Sequence, residues 1–178
     1  MTYKGLTKNP KYIQSGAKSG ANILGTLSAS LRDKTEYQRT FNVPIAQRWT
    51  DLHASSALLA TSGIFGDDFD LVSGLNVIVA ALEVKSPTSW ERKTNLPAAL
   101  QWLQHASKII YRDGRSTETW WGCNSKRWTG QGGFSRERWR FWRSILEKSQ
   151  KDEAIDEEVK QLLKAADVAM ERADRAKK

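Results

Sequence analysis

The side chains best suited to proton transfer near neutral pH are the two histidines, His53 and His105. His53 lies one helical turn after Trp49, and His105 lies close to Trp102 on another predicted helix. Asp51 is a carboxylate close to the first of these apolar helix faces. Since a general acid or base must lie beside a substrate, these three polar residues are the predicted catalytic residues. A hydrogen-bonded structural role is the alternative for each histidine.

Tryptophan is the second candidate for chemistry, because the chain contains eight of these residues. Trp139 and Trp142 are three positions apart, so they share one face of a helix. An aromatic pocket with Arg138 or Arg127 at its mouth would suit an apolar small molecule. The alternative is a tryptophan-filled core with arginine stacked on its rim. The predicted substrate-binding residues are Trp49, Trp102, Trp121, Trp128, Arg138, Trp139 and Trp142.

Sequence motifs of the common enzyme classes are missing from the chain. It has no phosphate-binding glycine loop, no nucleophile elbow and no zinc-binding His-Glu-x-x-His run. The single cysteine, Cys123, has no neighbouring base and is interpreted as a bystander thiol. Glu83 is interpreted as a solvated residue at a helix end. We therefore expect neither a metal nor a cofactor.

The charge of the chain is unevenly distributed. Its net charge is +8; residues 1–34 carry six Lys/Arg against one Asp, and residues 126–148 carry seven against two Glu. A basic cluster can attract nucleic acid, but it is more often a solvated helix face, and the chain has no known recognition module. The chain also has no secretion signal and no run of about 20 apolar residues, which predicts a cytoplasmic protein without a membrane span.

The spacing of apolar residues predicts an all-α fold, a compact bundle of about five to six helices with a Trp-rich core or pocket. Residues 1–20 are predicted to be a flexible basic arm and residues 21–178 a single helical domain, with a short helix from about residue 22 to 32. The main helices are predicted to begin at Asn42, at residue 67 or 68, at Asn95–Pro97, at Ser135 and at about residue 156. Trp90 is placed in a loop.

Several motifs resemble, in order, those of a family of fungal proteins catalogued as a domain of unknown function. The motifs are R-W-x-D-L-H at residues 48–53, A-L-E at 81–83, P-A-A-x-x-W at 97–102 and W-x-G-x-G-G-F-S-R-E-R-W-R-F-W at 128–142. The resemblance covers roughly residues 42–173, and His53 stands where the family pattern has Asn. It implies a fungal source, an all-α fold and an association with specialised metabolism, and it brings no established activity.

These observations lead to a functional hypothesis and two alternatives. The hypothesis is a cofactor-independent enzyme of fungal specialised metabolism that folds an apolar terpenoid- or polyketide-like substrate in an aromatic pocket. Orientation and one hydrogen-bond donor can suffice for a cyclisation or isomerisation, including a Diels–Alder-type cycloaddition. The first alternative is a non-catalytic module that binds a metabolite or a protein. The second alternative is single-stranded nucleic-acid binding through residues 126–148, which ranks lowest.

Overall fold

The computed structural model describes residues 42–64, 71–113, 127–130 and 134–176. Its regular elements are α1 (Asn42–Thr61), α2 (Val72–Leu82), α3 (Ser89–His105), α4 (Ser107–Asp113), α5 (Arg136–Gln150) and α6 (Glu157–Arg175). The predicted all-α fold is therefore confirmed. The predicted arm (residues 1–20), the predicted helix 22–32, Trp121 and Cys123 lie outside the described residues.

The start of α3 differs from the sequence-based prediction. The predicted start at Asn95–Pro97 is wrong, because the helix begins at Ser89, and Trp90 is helical rather than in a loop. Thr88 forms a capping box: its hydroxyl accepts from the Glu91 amide at 3.1 Å, and the Glu91 carboxylate accepts from the Thr88 amide at 2.8 Å. This backbone hydrogen bond from Thr88 also lowers the pKa of Glu91. The helix therefore begins eight residues before Pro97 and includes it.

Other helix ends follow local sequence signals. Ser135 caps α5 as predicted, because its hydroxyl accepts a hydrogen bond from the Arg138 amide at 3.0 Å. Gly63 has a φ of 69° just after α1, a backbone conformation that glycine adopts without steric cost. Helix α3 ends at His105, with Ala106 as its C-cap residue, and α4 begins directly after it at Ser107.

Helix α3 lies at the centre of the bundle and packs against α1, α2 and α6. Helix α6 also contacts α4 and α5, so it closes the other side of the core. Three tryptophans, Trp102, Trp139 and Trp142, are completely buried. The tryptophans therefore supply much of the apolar volume of the core, in agreement with the predicted Trp-rich interior.

Close packing explains the one glycine inside α2. A Cβ atom on Gly74 would lie 2.5 Å from Cδ2 of the Trp102 indole, well inside van der Waals contact. Helix α2 can approach α3 this closely only because position 74 has no side chain. The mid-helix glycine, which weakens a helix by up to about 1 kcal/mol relative to alanine, is thus required by the fit of Trp102.

Candidate functional site

An open groove lies between the first turns of α3 and the segment that joins α5 to α6. Its volume is about 250 Å³. We call it the α3–α6 groove and define it by its ten lining residues: Pro87, Ser89, Arg92, Lys93, Leu96, Pro97, Ala154, Ile155, Asp156 and Val159. Leu96 and Ile155 are buried and form part of the core, so the apolar surface of the groove is continuous with the hydrophobic interior.

The rim of the groove is charged. Arg92 Nη1 lies 3.2 Å from Asp152 Oδ2, and this ion pair joins α3 to the α5–α6 segment. Lys93 is exposed and has no ion-pair partner in the described part of the chain. Asp156 is the N-cap residue of α6, but its carboxylate makes no capping hydrogen bond. The groove therefore presents one uncompensated cation on the α3 wall and one uncompensated carboxylate on the α6 wall.

Pro97 changes the backbone chemistry of the α3 wall. Proline has no N–H, so the carbonyl of Lys93 lacks the donor that a helix normally supplies four residues later. Both residues line the groove. A ligand with N–H donors could satisfy this carbonyl, whereas a purely apolar ligand could not.

Glu83 and Arg138 form a fully buried ion pair. Arg138 Nε donates to Glu83 Oε1 at 2.6 Å and Nη2 donates to Oε2 at 2.8 Å, while Trp142 Nε1 donates to Oε1 at 2.7 Å. The interpretation of Glu83 as a solvated residue is therefore wrong. Its position as the C-cap of α2 places the carboxylate directly opposite α5, where both donors lie on successive turns.

The ion pair lies where α5 and the described residues 127–130 meet the end of α2. The Arg138 guanidinium lies 5.8 Å from the ring centroids of both Trp128 and Trp142, and Trp128 packs on Phe141. The Arg127 amide donates to the Glu83 carbonyl at 3.1 Å. Arg138 was predicted at the mouth of a binding pocket; the structure places it inside the core, holding α2 and α5 together.

A second buried cluster surrounds His53. Trp102 Nε1 donates to His53 Nδ1 at 2.8 Å, and the ring of Trp49 meets the imidazole edge-on with centroids 4.5 Å apart. Because Nδ1 accepts this bond, the imidazole is held as the neutral tautomer with its proton on Nε2. The three residues lie where α1 packs on α3, and each is at least nine-tenths buried.

The predicted site residues fall into two groups. Trp102 packs on Gly74 near the start of α2, whereas Arg138 meets Glu83 at its end. These two points on α2 are about 13 Å apart along the helix axis at 1.5 Å per residue. His53 and Trp49 belong to the first group, and Trp128 and Trp142 to the second.

The remaining predicted residues in the described ranges are Trp139, Asp51 and His105. Trp139 joins the second group through Trp142 and packs on Tyr111 and Phe134, but its buried Nε1 has no hydrogen-bond partner among the described residues. Asp51 is exposed and accepts a hydrogen bond from Gln47 at 2.8 Å. His105 ends α3, where burial lowers its pKa.

The α3–α6 groove contains none of the predicted site residues. Its lining residues were missed because an apolar position beside a charged one on a helix is the ordinary signature of a half-buried face. Two local signals were available. Pro87 and Pro97 bracket the α3 wall, and five acidic residues with no basic residue occur between residues 152 and 159.

Two further classes of site are absent from residues 42–64, 71–113, 127–130 and 134–176. No three His, Cys, Asp or Glu side chains there are grouped in a way that could hold a metal ion. None of the helices in those ranges combines the length and the apolar character needed to cross a bilayer.

Comparison with known proteins identifies a family for this chain. No curated protein sequence and no solved structure matches the chain significantly. The profile of one family, described as a protein of unknown function (DUF3632), matches residues 19–146. The match extends from upstream of α1 into α5 and covers more than half of the chain. The chain therefore belongs to the DUF3632 family of proteins of unknown function.

Proposed function

We propose that this domain is a non-catalytic binding module whose α3–α6 groove receives an apolar side chain from a partner protein. The observation that carries the proposal is the contrast between the groove and the aromatic clusters. The groove is open, apolar at its base and charged at its rim, which is the anatomy of a pocket for an interface anchor residue. Trp102, Trp139 and Trp142, in contrast, are completely buried in the core and present no surface to a ligand.

The size of the groove favours a side chain over a polycyclic metabolite. Pockets for drug-sized ligands usually measure roughly 300–1,000 Å³ and enclose most of the ligand. The groove measures about 250 Å³ and is open to solvent. It suits one or two side chains that remain attached to a larger partner.

Filling the groove tests the proposal. Ala154 is exposed and lines the groove, so Ala154→Trp would occupy it without disturbing the core. Ala176→Trp is the matched control, because Ala176 is an exposed alanine outside the groove. Peptides would be selected from a phage-displayed random library on the full chain, and their binding to each variant would be measured by fluorescence anisotropy.

We expect the selected peptides to share an apolar anchor and to lose affinity by about tenfold or more on Ala154→Trp, as truncation or blocking of an anchor pocket does. Ala176→Trp should bind like the wild type. Val159→Arg, which places a charge in the groove from α6, should repeat the loss. Peptides that bind Ala154→Trp as well as they bind the wild type would refute the proposal.

Catalysis in specialised metabolism stays a prediction. It is supported by the neutral imidazole of His53, which lies within an aromatic cluster and carries a donor on Nε2. The complete burial of Trp102, Trp139 and Trp142 counts against it, because a substrate would have to displace core side chains. Metabolite profiling with and without the gene, in the source organism, tests it. Suppose that a product is lost without the gene and that an isomer of the same mass accumulates. If the pure protein then converts this isomer to the product, the enzyme hypothesis is restored.

Single-strand binding has less support. Stacking on nucleic-acid bases requires exposed aromatic rings, whereas Trp139 and Trp142 are buried. Arg138 pairs with Glu83, and Arg143 pairs with Asp167 at 3.1 Å, so two of the basic residues are already engaged.

A further inference from the structure

The α6 wall of the α3–α6 groove carries an excess of negative charge in a chain whose net charge is +8. Asp152 is compensated by Arg92. Four more carboxylates follow, all of them exposed and without an ion-pair partner in the described ranges: Glu153, Asp156, Glu157 and Glu158. One lines the groove and the other three flank it in sequence.

The helix dipole explains part of this charge. The N-terminus of α6 carries the equivalent of about half a positive charge, which favours acidic residues in the first turn. Four uncompensated carboxylates exceed that half charge several-fold. Glu153 also precedes the helix, outside the turn where the dipole acts. The positive end of the helix dipole therefore does not neutralise these carboxylates, and the α6 wall remains negative.

The α3 wall adds a hydrogen-bond acceptor to this arrangement. The Lys93 carbonyl lacks its helical donor because of Pro97, so both walls favour groups that donate hydrogen bonds. Lys93 lines the groove as an exposed cation, and Lys151 and Lys160 flank the acidic stretch, so the four carboxylates are partly offset but remain in excess. Lysine and arginine side chains are the protein groups with the most N–H donors and no acceptor.

We propose, on the basis of the binding function proposed above, that the groove recognises a basic segment of a partner protein. An apolar side chain of that segment enters the groove between Leu96 and Val159, and its neighbouring Lys or Arg residues face the acidic α6 wall. The apolar anchor supplies most of the affinity, while the charges select the partner and accelerate association.

The test uses the full chain labelled with ¹⁵N and three synthetic heptapeptides. The first has a central leucine with two lysines at each end, separated from it by glycine. The second replaces the leucine with alanine, and the third replaces the lysines with glutamates. Amide shifts of Lys93, Ile155 and Val159 would be followed in titrations at low and high salt.

We expect the basic leucine peptide to bind at the groove roughly tenfold more tightly than its acidic counterpart. Its affinity should fall about fivefold at high salt, since exposed charges are screened. The double variant Glu153→Gln with Glu158→Gln should show the same fall in affinity for the basic leucine peptide at low salt. A matched double variant, Glu137→Gln with Glu147→Gln, removes two exposed carboxylates elsewhere and should leave binding unchanged.

The other outcomes show whether the basic-partner inference alone fails or the proposed binding function fails with it. Equal binding of the basic and acidic leucine peptides would overturn the basic-partner inference and leave the binding function standing. Equal binding of the leucine and alanine peptides, or no binding by any peptide, would overturn both. If the wild type dimerises in sedimentation experiments and Ala154→Trp does not, the occupant is a second copy and the inference fails. If the peptides bind only after Lys4, Lys8 and Lys11 are replaced by serine, the basic arm of the same chain is the occupant; the partner-protein inference then fails, although the groove does bind a basic segment.

Discussion

Glu83 and Arg138 are 55 positions apart in the sequence, yet two nitrogen atoms of the guanidinium lie 2.6 and 2.8 Å from the two oxygen atoms of the carboxylate. Neither side chain has any exposed surface. Trp142 adds a third donor to Glu83, so the acid is satisfied by two residues of one helix. This contact links the end of α2 to α5 and gives the A-L-E and R-W-R-F-W motifs a structural role.

Removing one partner of this pair should destabilise the fold strongly. Glu83→Gln leaves a buried guanidinium without a compensating charge, and Arg138→Met leaves a buried carboxylate. We expect each to reduce the free energy of unfolding by about 3–5 kcal/mol. Urea unfolding measures this, and the double variant Glu83→Gln with Arg138→Met should cost less than the sum. Single variants that lose under about 1 kcal/mol would contradict a buried ion pair.

Gly74→Ala should destabilise the protein even though alanine favours helices. The new methyl group would collide with the Trp102 indole, which is completely buried and hydrogen-bonded to His53. Overpacking of this kind costs about 1–3 kcal/mol. Asn76→Ala is the control, because Asn76 is exposed on the same helix. Chemical denaturation of both variants should show a loss only for Gly74→Ala.

The hydrogen bond between Trp102 and His53 should matter for stability. His53→Leu removes the acceptor from a buried indole N–H, which we expect to cost about 1–3 kcal/mol. His53→Asn should cost less, because its side-chain oxygen can accept the same bond. Thermal and urea unfolding of the two variants would decide this. If both lose the same free energy of unfolding, the loss comes from packing and not from the hydrogen bond.

His105 should give the fold a pH dependence just below neutrality. Burial lowers its pKa from the ordinary value of 6.5, so the unfolded chain binds a proton at a higher pH than the folded chain. The free energy of unfolding should therefore fall as the pH drops through 6.5 and level off below the folded pKa. Above 6.5 this contribution is fully present.

The variant His105→Gln tests this linkage. Its free energy of unfolding, measured by urea titration between about pH 7.5 and 5, should depend less on pH than that of the wild type. Glu91 also has a lowered pKa, but its protonation affects stability only below 4.5 and does not overlap this window. Identical pH profiles for variant and wild type would remove His105 as the cause.

Local signals in the chain were sufficient for the fold class and for several helix ends. Apolar spacing predicted the helices because a half-buried helix must repeat its apolar residues every three to four positions. Ser135 was identified as a cap because its hydroxyl bonds only three residues away. The start of α3 was also locally encoded, by the T-x-x-E capping box at residues 88–91, but the proline at 97 gave a competing signal.

The chemistry of individual side chains depended on contacts between distant parts of the chain. Glu83 is a solvated helix end or a buried ion depending on what lies opposite, and its partner is 55 positions away. Arg92 and Asp152, which bridge the groove, are 60 positions apart. Helical periodicity states which face of a helix is buried, whereas the partner of that face is set by how the helices pack together. Burial and pairing are properties of that packing, because both arise from the atoms around a side chain and not from its neighbours in sequence.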